Sequence, residues 1–177
     1  MPAACCSIIR WLRIKFIFWR VNMKRIIAMF ILCLTVISLS GCGNLNYAYD
    51  NNATIVKSGD SSSTSGAGST KIGNQLSVST ATMTGSRTLW RYNADSDVDV
   101  TFSYSLSVTA GGKAKLVLIT PDNEVTILTE NINKTTNSEM QSQTISLKKG
   151  NNRIKVVGYD APKFDLKLSV DVGSLSW

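Results

Sequence analysis

The sequence contains no histidine, and its four cysteines all lie within the first 42 of its 177 residues. These absences remove the imidazole and thiolate ligands that zinc, copper and iron prefer, so sites for these metals are not expected, and no cofactor is expected. They also exclude Ser-His-Asp and Cys-His catalysis beyond residue 42. A fold built from the rest of the chain has no disulfide, so its stability must come from buried apolar side chains.

Acidic side chains are missing from residues 1–41, which hold six of the 19 basic residues. The remaining chain carries 13 basic against 12 acidic side chains. The formal charge of +7 therefore belongs to the N-terminal segment, and the rest of the chain is nearly neutral. A nucleic-acid partner is not expected from such a balance.

A charged, then apolar, then small-residue pattern occupies residues 23–42. Met23-Lys24-Arg25 precedes an apolar run from Ile26 to Leu39, which is the order of a secretory signal peptide. The run is shorter than the ~18–20 residues that a membrane-spanning helix needs. We therefore expect residues 1–41 to be a signal peptide with Met23 as its favoured start, the alternative for residues 1–22 being a membrane-surface helix.

The end of this segment, Leu39-Ser40-Gly41-Cys42, resembles the lipobox of bacterial lipoproteins. The resemblance implies cleavage between Gly41 and Cys42 and a diacylglycerol on the Cys42 sulfur. The protein would then be anchored by lipid to the cell membrane, facing the extracytoplasmic side. The alternative is an ordinary secretory signal in which the cysteine occurs by chance.

Residues 42–70 are predicted to be a lipidated, flexible tether. Ser58 to Thr70 consists almost entirely of Ser, Gly and Thr, a composition that buries too little apolar surface to offset its ordering entropy. Such a coil spans roughly 30 Å and would hold the domain clear of the headgroups. The alternative is that Tyr47, Tyr49, Ile55 and Val56 add a short strand to the domain.

Residues 71–177 are predicted to form a single all-β domain, because period-2 alternation dominates them. In Asp97–Thr109 and again in Lys163–Val172, apolar and polar residues alternate along the chain. This pattern is typical of antiparallel strands with one buried face. Phe102 and Leu166, at the centres of these two strands, should be almost fully buried.

Turn signals divide the remainder into short strands. Gly111-Gly112 and Gly150-Asn151-Asn152 are each predicted to close a hairpin, and Pro121-Asp122-Asn123 is predicted to form a type I turn. Eight short strands at regular spacing favour an antiparallel two-sheet sandwich of jelly-roll type. Gly150–Gly158, followed by the closing strand, is similar to galactose-binding-like jelly rolls, which implies binding of carbohydrate or another surface ligand.

Three patterns suggest chemistry, but each has a simpler interpretation. Asp95, Asp97 and Asp99 resemble the start of a calcium loop that lacks its glycine and glutamate, so a solvated strand face is favoured, and a calcium site of another type at the start of this strand is the alternative. Ser146 and Lys149 match a Ser-x-x-Lys pair, but on a strand they point to opposite faces. The basic residues near one hairpin could meet an anionic polymer or protect an edge strand; they are Lys148, Lys149, Arg153 and Lys155.

Aromatic residues supply the remaining candidates for a ligand site. Trp90 and Tyr92 share a strand face, which we assign to the core, with the face of Arg87, Leu89 and Arg91 outward. Tyr159 and Asp160 lie in a loop and are the candidate ligand-binding residues, because loops at the ends of sandwiches often carry function.

The sequence favours a non-catalytic lipoprotein whose sandwich binds a carbohydrate or protein at the cell surface. Cell-wall polymer, a glycan or another envelope protein are the candidate partners besides the membrane. One alternative is a structural or assembly protein of the envelope without a small ligand. The other is a hydrolase that uses paired carboxylates.

Overall fold

The computed structural model describes residues 44–132 and 139–177. The predicted signal peptide, the cleavage site at Gly41 and the lipidation site Cys42 lie outside these residues. Asn44–Trp177 forms one unit. Within the described ranges, the helices are too short or too polar to span a membrane.

Eleven strands of the described chain form two antiparallel sheets. Sheet A has the order β1-β4-β9-β6-β7, with β11 beside β4, and sheet B has the order β2-β3-β10-β5-β8. The strand bounds are β1 Ser61–Ser65, β2 Gly68–Ile72, β3 Gln75–Thr80, β4 Thr82–Ala94, β5 Val98–Ala110, β6 Lys113–Ile119, β7 Val125–Ile132, β8 Gln141–Leu147, β9 Gly150–Tyr159, β10 Lys163–Val170 and β11 Ser174–Leu175.

The prediction of a jelly-roll sandwich is confirmed by this strand order. The eight predicted strands correspond to β3–β10, which form two facing four-stranded sheets, β3-β10-β5-β8 and β4-β9-β6-β7. This is the arrangement of two interlocked Greek keys. β1 and β2, which were not predicted, extend the two sheets beside β4 and β3.

Two of the three predicted turns were assigned wrongly, because a jelly roll passes from sheet to sheet. Gly111-Gly112 joins β5 of sheet B to β6 of sheet A, and is therefore a corner between sheets, not a hairpin. Gly150-Asn151-Asn152 belongs to β9, which does not pair with β8. The turn at Pro121 is confirmed, because it closes the β6–β7 hairpin with Asn123 at a φ of 65°.

The alternating strands bury their apolar sides between the sheets, as predicted. Phe102 is 0 % exposed and Leu166 is 1 % exposed. Trp90 is also fully buried; its ring packs edge-on against Phe102 at 5.1 Å, and its indole N–H donates to the Val172 carbonyl at 2.6 Å. The core assignment of Trp90 is therefore confirmed, and Tyr92 packs against the same core.

A β-bulge in β4 makes one predicted face wrong. The register with β9 shifts between Thr88 and Trp90, and Leu89 and Trp90 are both fully buried. An extra residue at a bulge breaks the strict alternation, so Leu89 joins the core whereas Arg91 is exposed.

The prediction of a flexible tether is wrong for residues 44–70. Residues 44–60, here called the N-terminal cover, lie on the outer face of sheet A and include a 3-10 helix at Leu45–Ala48 and the helix α1 at Asn52–Ile55. A second apolar cluster fixes the N-terminal cover to the sheet and contains Tyr49, Ile55, Val117, Ile119 and Val157.

The Ser-rich stretch that follows forms β1 and β2. Its strands lie at sheet edges, where backbone hydrogen bonds to an existing sheet order the chain although few side chains are buried. The domain therefore begins at Asn44, and not at residue 71.

Candidate functional site

The outer faces of the two sheets differ in what covers them. The N-terminal cover packs on sheet A through Tyr49 and Ile55, which are fully buried. Many outward side chains of sheet B, among them Ser79, Asp165 and Lys167, are exposed or half-buried, whereas Ser105 and Ser107 of β5 are buried. Sheet B therefore presents the larger open face of the described sandwich.

Strand register places small hydroxyl groups in rows across sheet B. Asp165 of β10 lies between Ser79 of β3 and Ser107 of β5. Lys167 lies in the next row along β10, between Ser77 of β3 and Ser105 of β5. Because directly opposed residues share a face, the two charged side chains stand among serines on both sides.

A groove of about 480 Å³ runs along this face between β2, β3 and β10. Gly68 lies opposite Ser79 in the register, and a Cβ added at Gly68 would meet nothing within 4 Å. The missing side chain leaves space above Ser79. We call this feature the hydroxyl groove; it is lined by Gly68, Ser69, Thr70, Ser77, Val78, Ser79, Asp165, Leu166 and Lys167.

The hydroxyl groove offers hydrogen bonds and charge. Serine and threonine hydroxyls both donate and accept, a carboxylate accepts, and an ammonium group donates. Aromatic rings are absent from its lining residues. Towards β8 the hydroxyls bond to one another, as Thr101 does with Thr144 at 2.7 Å and Ser103 with Ser142 at 3.1 Å. The hydroxyls and charges of the groove can thus pair with polar groups of a ligand, while most of the exposed lining surface is apolar.

The predicted site residues Tyr159 and Asp160 lie elsewhere. Tyr159 is the last residue of β9, not a loop residue as predicted, and Asp160 lies in the turn that follows. Tyr159 is 36 % exposed, and its ring meets the Tyr49 ring edge-on at 5.8 Å. The backbone N–H of Asp160 donates to the Asn46 side chain at 2.8 Å. Their role in ligand binding stays a prediction, and both residues belong to the surface around the N-terminal cover.

Tyr49 lies within the segment predicted to be a tether, but it is the centre of a polar cluster. Its hydroxyl donates to the Glu130 carboxylate at 2.6 Å, and the ammonium groups of Lys113 and Lys115 lie 4.2 and 4.5 Å from its ring centre. Burial, followed by the bond to Glu130, raises the pKa of Tyr49 far above its usual value. Burial lowers the pKa of Lys115. Asn44 and Asn51, as helix caps, are the sequence signal that could have revealed this segment.

Neither interpretation of the basic residues near β9 is correct for Arg153 and Lys155. Arg153 and Lys155 lie on a central strand and are 5 % and 0 % exposed. Lys155 donates to the carbonyls of Lys57 and Gly59, at 2.8 and 2.9 Å. Arg153 donates to the Val56 carbonyl at 2.9 Å. These two cations hold the N-terminal cover and form neither a basic patch nor edge protection.

Lys148 lies apart from this pair, on the surface. Its ammonium group bonds to the carboxylates of Asp122 and Glu124. The bonds from Lys148 and Thr120 lower the pKa of Asp122 to about 2. The charge of Lys148 is therefore balanced at the end of the β6–β7 hairpin.

The acidic run before β5 behaves as the solvated face that we favoured. Asp95, Asp97 and Asp99 are exposed. Asp97 accepts from the backbone N–H of Lys149 at 2.8 Å, and Asp99 accepts from the Ser146 hydroxyl. In the described residues, no group of three metal-ligating side chains converges on one point. Ser146 thus bonds to Asp99 and does not meet the Lys149 ammonium group.

No protein-family model and no curated protein matches this sequence. Among solved structures, it is similar to a D114A mutant of the carbohydrate-binding module CBM29-2, with 12 % identity over 68 % of this chain and 82 % of that chain and a TM-score of 0.34. A second is the module CBM6cm-2 of Cellvibrio mixtus lichenase 5A in complex with cellotriose, with 15 % identity, 66 % and 89 % coverage and a TM-score of 0.34. The likeness concerns the all-β sandwich, and no residue is matched through it.

Proposed function

We propose that the protein is a non-catalytic lipoprotein of the cell envelope that binds carbohydrate in the hydroxyl groove of sheet B. The observation that carries this proposal is the groove itself, an open strip of hydroxyls with one carboxylate and one ammonium group on β10 at its side. Sugars present rows of hydroxyls, which pair with groups that both donate and accept. Asp165 would accept from sugar hydroxyls, and Lys167 would donate to them.

Binding, and not hydrolysis, fits the carboxylates of the hydroxyl groove. Glycoside hydrolysis commonly uses two carboxyl groups, ~5–10 Å apart, on either side of the scissile bond. The lining of the groove contains one, Asp165. The groove also lacks an aromatic platform, whose stacking adds to sugar affinity in many sites. We therefore expect weak binding that becomes useful when many anchored copies act together.

The anchor is the second part of the proposal and rests on Leu39-Ser40-Gly41-Cys42. Mass spectrometry of the membrane fraction should find a chain that begins at Cys42 and carries a diacylglycerol. Replacing Cys42 by Ser should block acylation and leave the chain unprocessed. An unmodified Cys42, or residues 23–41 retained in the wild-type chain, would show that this part is wrong.

A glycan array probed with the mature protein tests the groove. We expect binding to at least one class of polysaccharide, reduced about tenfold or more by Asp165→Asn or Lys167→Ala, since each removes charge-assisted hydrogen bonds. Gly68→Val should also reduce binding by filling the open space. The matched control is Lys163→Ala, on the same strand and exposed, but outside the groove lining.

Two results would overturn the carbohydrate proposal. One is a folded mature protein that binds nothing on the array. The other is binding that Lys163→Ala weakens as much as Lys167→Ala does. The first result would favour the structural or assembly role, and the second would show that carbohydrate binds outside the hydroxyl groove.

A further inference from the structure

The distance between the proposed anchor and the folded domain is very short. The 3-10 helix begins after Asn44, whose carbonyl accepts from the backbone N–H of Tyr47 at 3.0 Å. Cys42 precedes Asn44 by two residues, and two extended residues span about 7 Å. If Cys42 is acylated, as the proposed function requires, the first residue of the domain lies within that distance of the acylated residue.

The surface beside Asn44 is continuous with one end of sheet A. Asn46 accepts from the backbone of Asp160 at 2.8 Å, which joins the 3-10 helix to the β9–β10 turn. Beside that turn, Tyr159, Lys113 and Ile132 are directly opposed across β9, β6 and β7. Directly opposed residues share a face, with Cβ atoms ~4.5–5.5 Å apart. We call Tyr47 together with this row the anchor end.

The anchor end is rich in exposed apolar side chains. Tyr47 is 67 % exposed, Ile132 57 % and Tyr159 36 %. Across the described ranges, six large apolar or aromatic side chains are exposed, and these are three of them. Tyrosine places its ring in the apolar region and its hydroxyl in water at a membrane surface. This combination is typical of a protein surface that meets lipid headgroups.

Charge on the anchor end is balanced. The ammonium group of Lys113 lies 3.8 Å from the Asp50 carboxylate and 4.2 and 5.2 Å from the ring centres of Tyr49 and Tyr159. A basic cluster, which would select anionic lipid, is not present among these residues. The anchor end is therefore suited to zwitterionic and anionic bilayers alike.

We propose that the anchor end lies against the bilayer, with Tyr47 and Ile132 at the boundary between headgroups and acyl chains. The proposal rests on the acylation of Cys42. It makes the domain a body docked on its membrane in one orientation, in contrast to one that swings on a tether. Sheet B lies on the other side of the sandwich from the N-terminal cover, so the hydroxyl groove stays accessible.

Fluorescent labels on the acylated mature protein test this docking. Cys42 is the last cysteine of the chain, and acylation blocks its sulfur, so an introduced cysteine is the single labelling site. Tyr47→Cys and Ile132→Cys are the test variants, each at an exposed position. Asn151→Cys is the control on the same strand as Tyr159, about 26 Å away at ~3.3 Å per residue. Ser79→Cys is the control in the hydroxyl groove.

The labelled proteins are reconstituted in vesicles of phosphatidylcholine, alone or with an equal part of phosphatidylglycerol, each containing a lipid with a quencher near its headgroup. We expect several-fold stronger quenching at positions 47 and 132 than at positions 151 and 79, to the same degree in both lipids. Circular dichroism of each variant confirms that it is folded.

Two outcomes would overturn the proposal and are distinguishable. Equal quenching at all four positions in protein that floats with the vesicles contradicts docking and leaves the anchor intact. Protein with unmodified Cys42 that does not float contradicts the anchor and the docking together.

Discussion

Sheets A and B are both built from strands in which residues alternate between an inner and an outer face, but their outer faces meet different surroundings. On sheet A, Val117, Ile119 and Val157 point outward and pack beneath Tyr49 and Ile55. On sheet B, the outward positions of β10 hold Asp165, Lys167 and Ser169, which are exposed or half-buried. The difference shows that sheet A has two buried faces, as its apolar outward residues require, whereas sheet B has one.

The lysines at outward positions of the two sheets also differ in their burial. Lys155 of β9 lies at an outward position, yet it is fully buried and donates to two carbonyls of the N-terminal cover. Burial is the main cause that lowers the pKa of Lys155, and Asp60 opposes this effect. On sheet B, Lys167 occupies an equivalent outward position and remains exposed. A lysine in an alternating strand therefore marks an outward position, but it does not show whether that position meets water.

The largest expected effect comes from removing what distinguishes sheet A. A chain of residues 71–177 lacks the N-terminal cover, β1 and most of β2, and it leaves Val117, Ile119 and Val157 in water. We expect its urea midpoint to fall far below that of residues 44–177, because fully burying each such side chain is worth about 1.5–3 kcal/mol. Equal midpoints would show that the N-terminal cover contributes nothing to stability.

The second prediction concerns β5, where one face is buried. Phe102→Ala should cost about 3–5 kcal/mol through lost transfer energy and a residual cavity. Ser103→Ala, on the open face, should cost less than ~0.5 kcal/mol. Urea unfolding measures both, and the pair Leu166→Ala and Lys167→Ala on β10 repeats the test. Comparable losses within a pair would mean that sheet B is covered on both faces.

The third prediction applies the same test to β6 of sheet A. Leu118 faces the core between the sheets, Ile119 faces the N-terminal cover, and they are 1 % and 0 % exposed. Leu118→Ala and Ile119→Ala should each cost about 2–5 kcal/mol, in contrast to the neighbours on β5. If Ile119→Ala were nearly neutral in urea unfolding, the N-terminal cover would not be packed on the sheet in solution.

The smallest expected effect is a change of folding stability with pH, caused by Tyr49 in the N-terminal cover. The pKa of Tyr49 is raised in the folded state, so above pH ~10 the unfolded chain loses this proton while the folded chain keeps it. The contribution of Tyr49 to stability is therefore complete below pH ~10 and declines as the pH rises further. Tyr49→Phe should remove this part of the decline.

Urea unfolding at a series of pH values on both proteins gives the difference curve, in which other titrating groups largely cancel. A flat difference above pH ~10 would mean that Tyr49 is not buried in solution.

The architecture could be predicted from the sequence because apolar alternation is a local signal. Phe102 and Leu166 fall in the core, and the eight expected strands are present. The sheet to which a strand belongs is a long-range property, and therefore a local glycine pair at Gly111 predicts a hairpin where the structure has a corner between sheets. Lys155 can be buried because it bonds to carbonyls nearly 100 residues earlier in the chain. A local sequence pattern around Lys155 cannot predict these partners.

The candidate site was less accessible to prediction. Ser77, Ser79 and Ser105 are ordinary outward residues in the sequence, and only the strand register brings them into rows beside Asp165 and Lys167. The space of the hydroxyl groove depends on Gly68 of β2. The Ser-rich composition around this strand is typical of a flexible linker, so it does not predict a strand. The exposure of Tyr159 next to a turn can be predicted locally, but Tyr49, which contacts Tyr159, and Asn46, which accepts from Asp160, come from the other end of the domain.

The bonds between the N-terminal cover and β9 also set an order of events in time. Val56 and Lys57 meet Arg153 and Lys155 across separations of 97 and 98 residues. Contacts of such separation close late, because the entropy of a long loop is lost before the contact forms. The N-terminal cover can therefore pack only after β9, in the last third of the chain, has formed. We expect slow folding, in milliseconds to seconds, with the N-terminal cover among the last parts to become protected from hydrogen exchange.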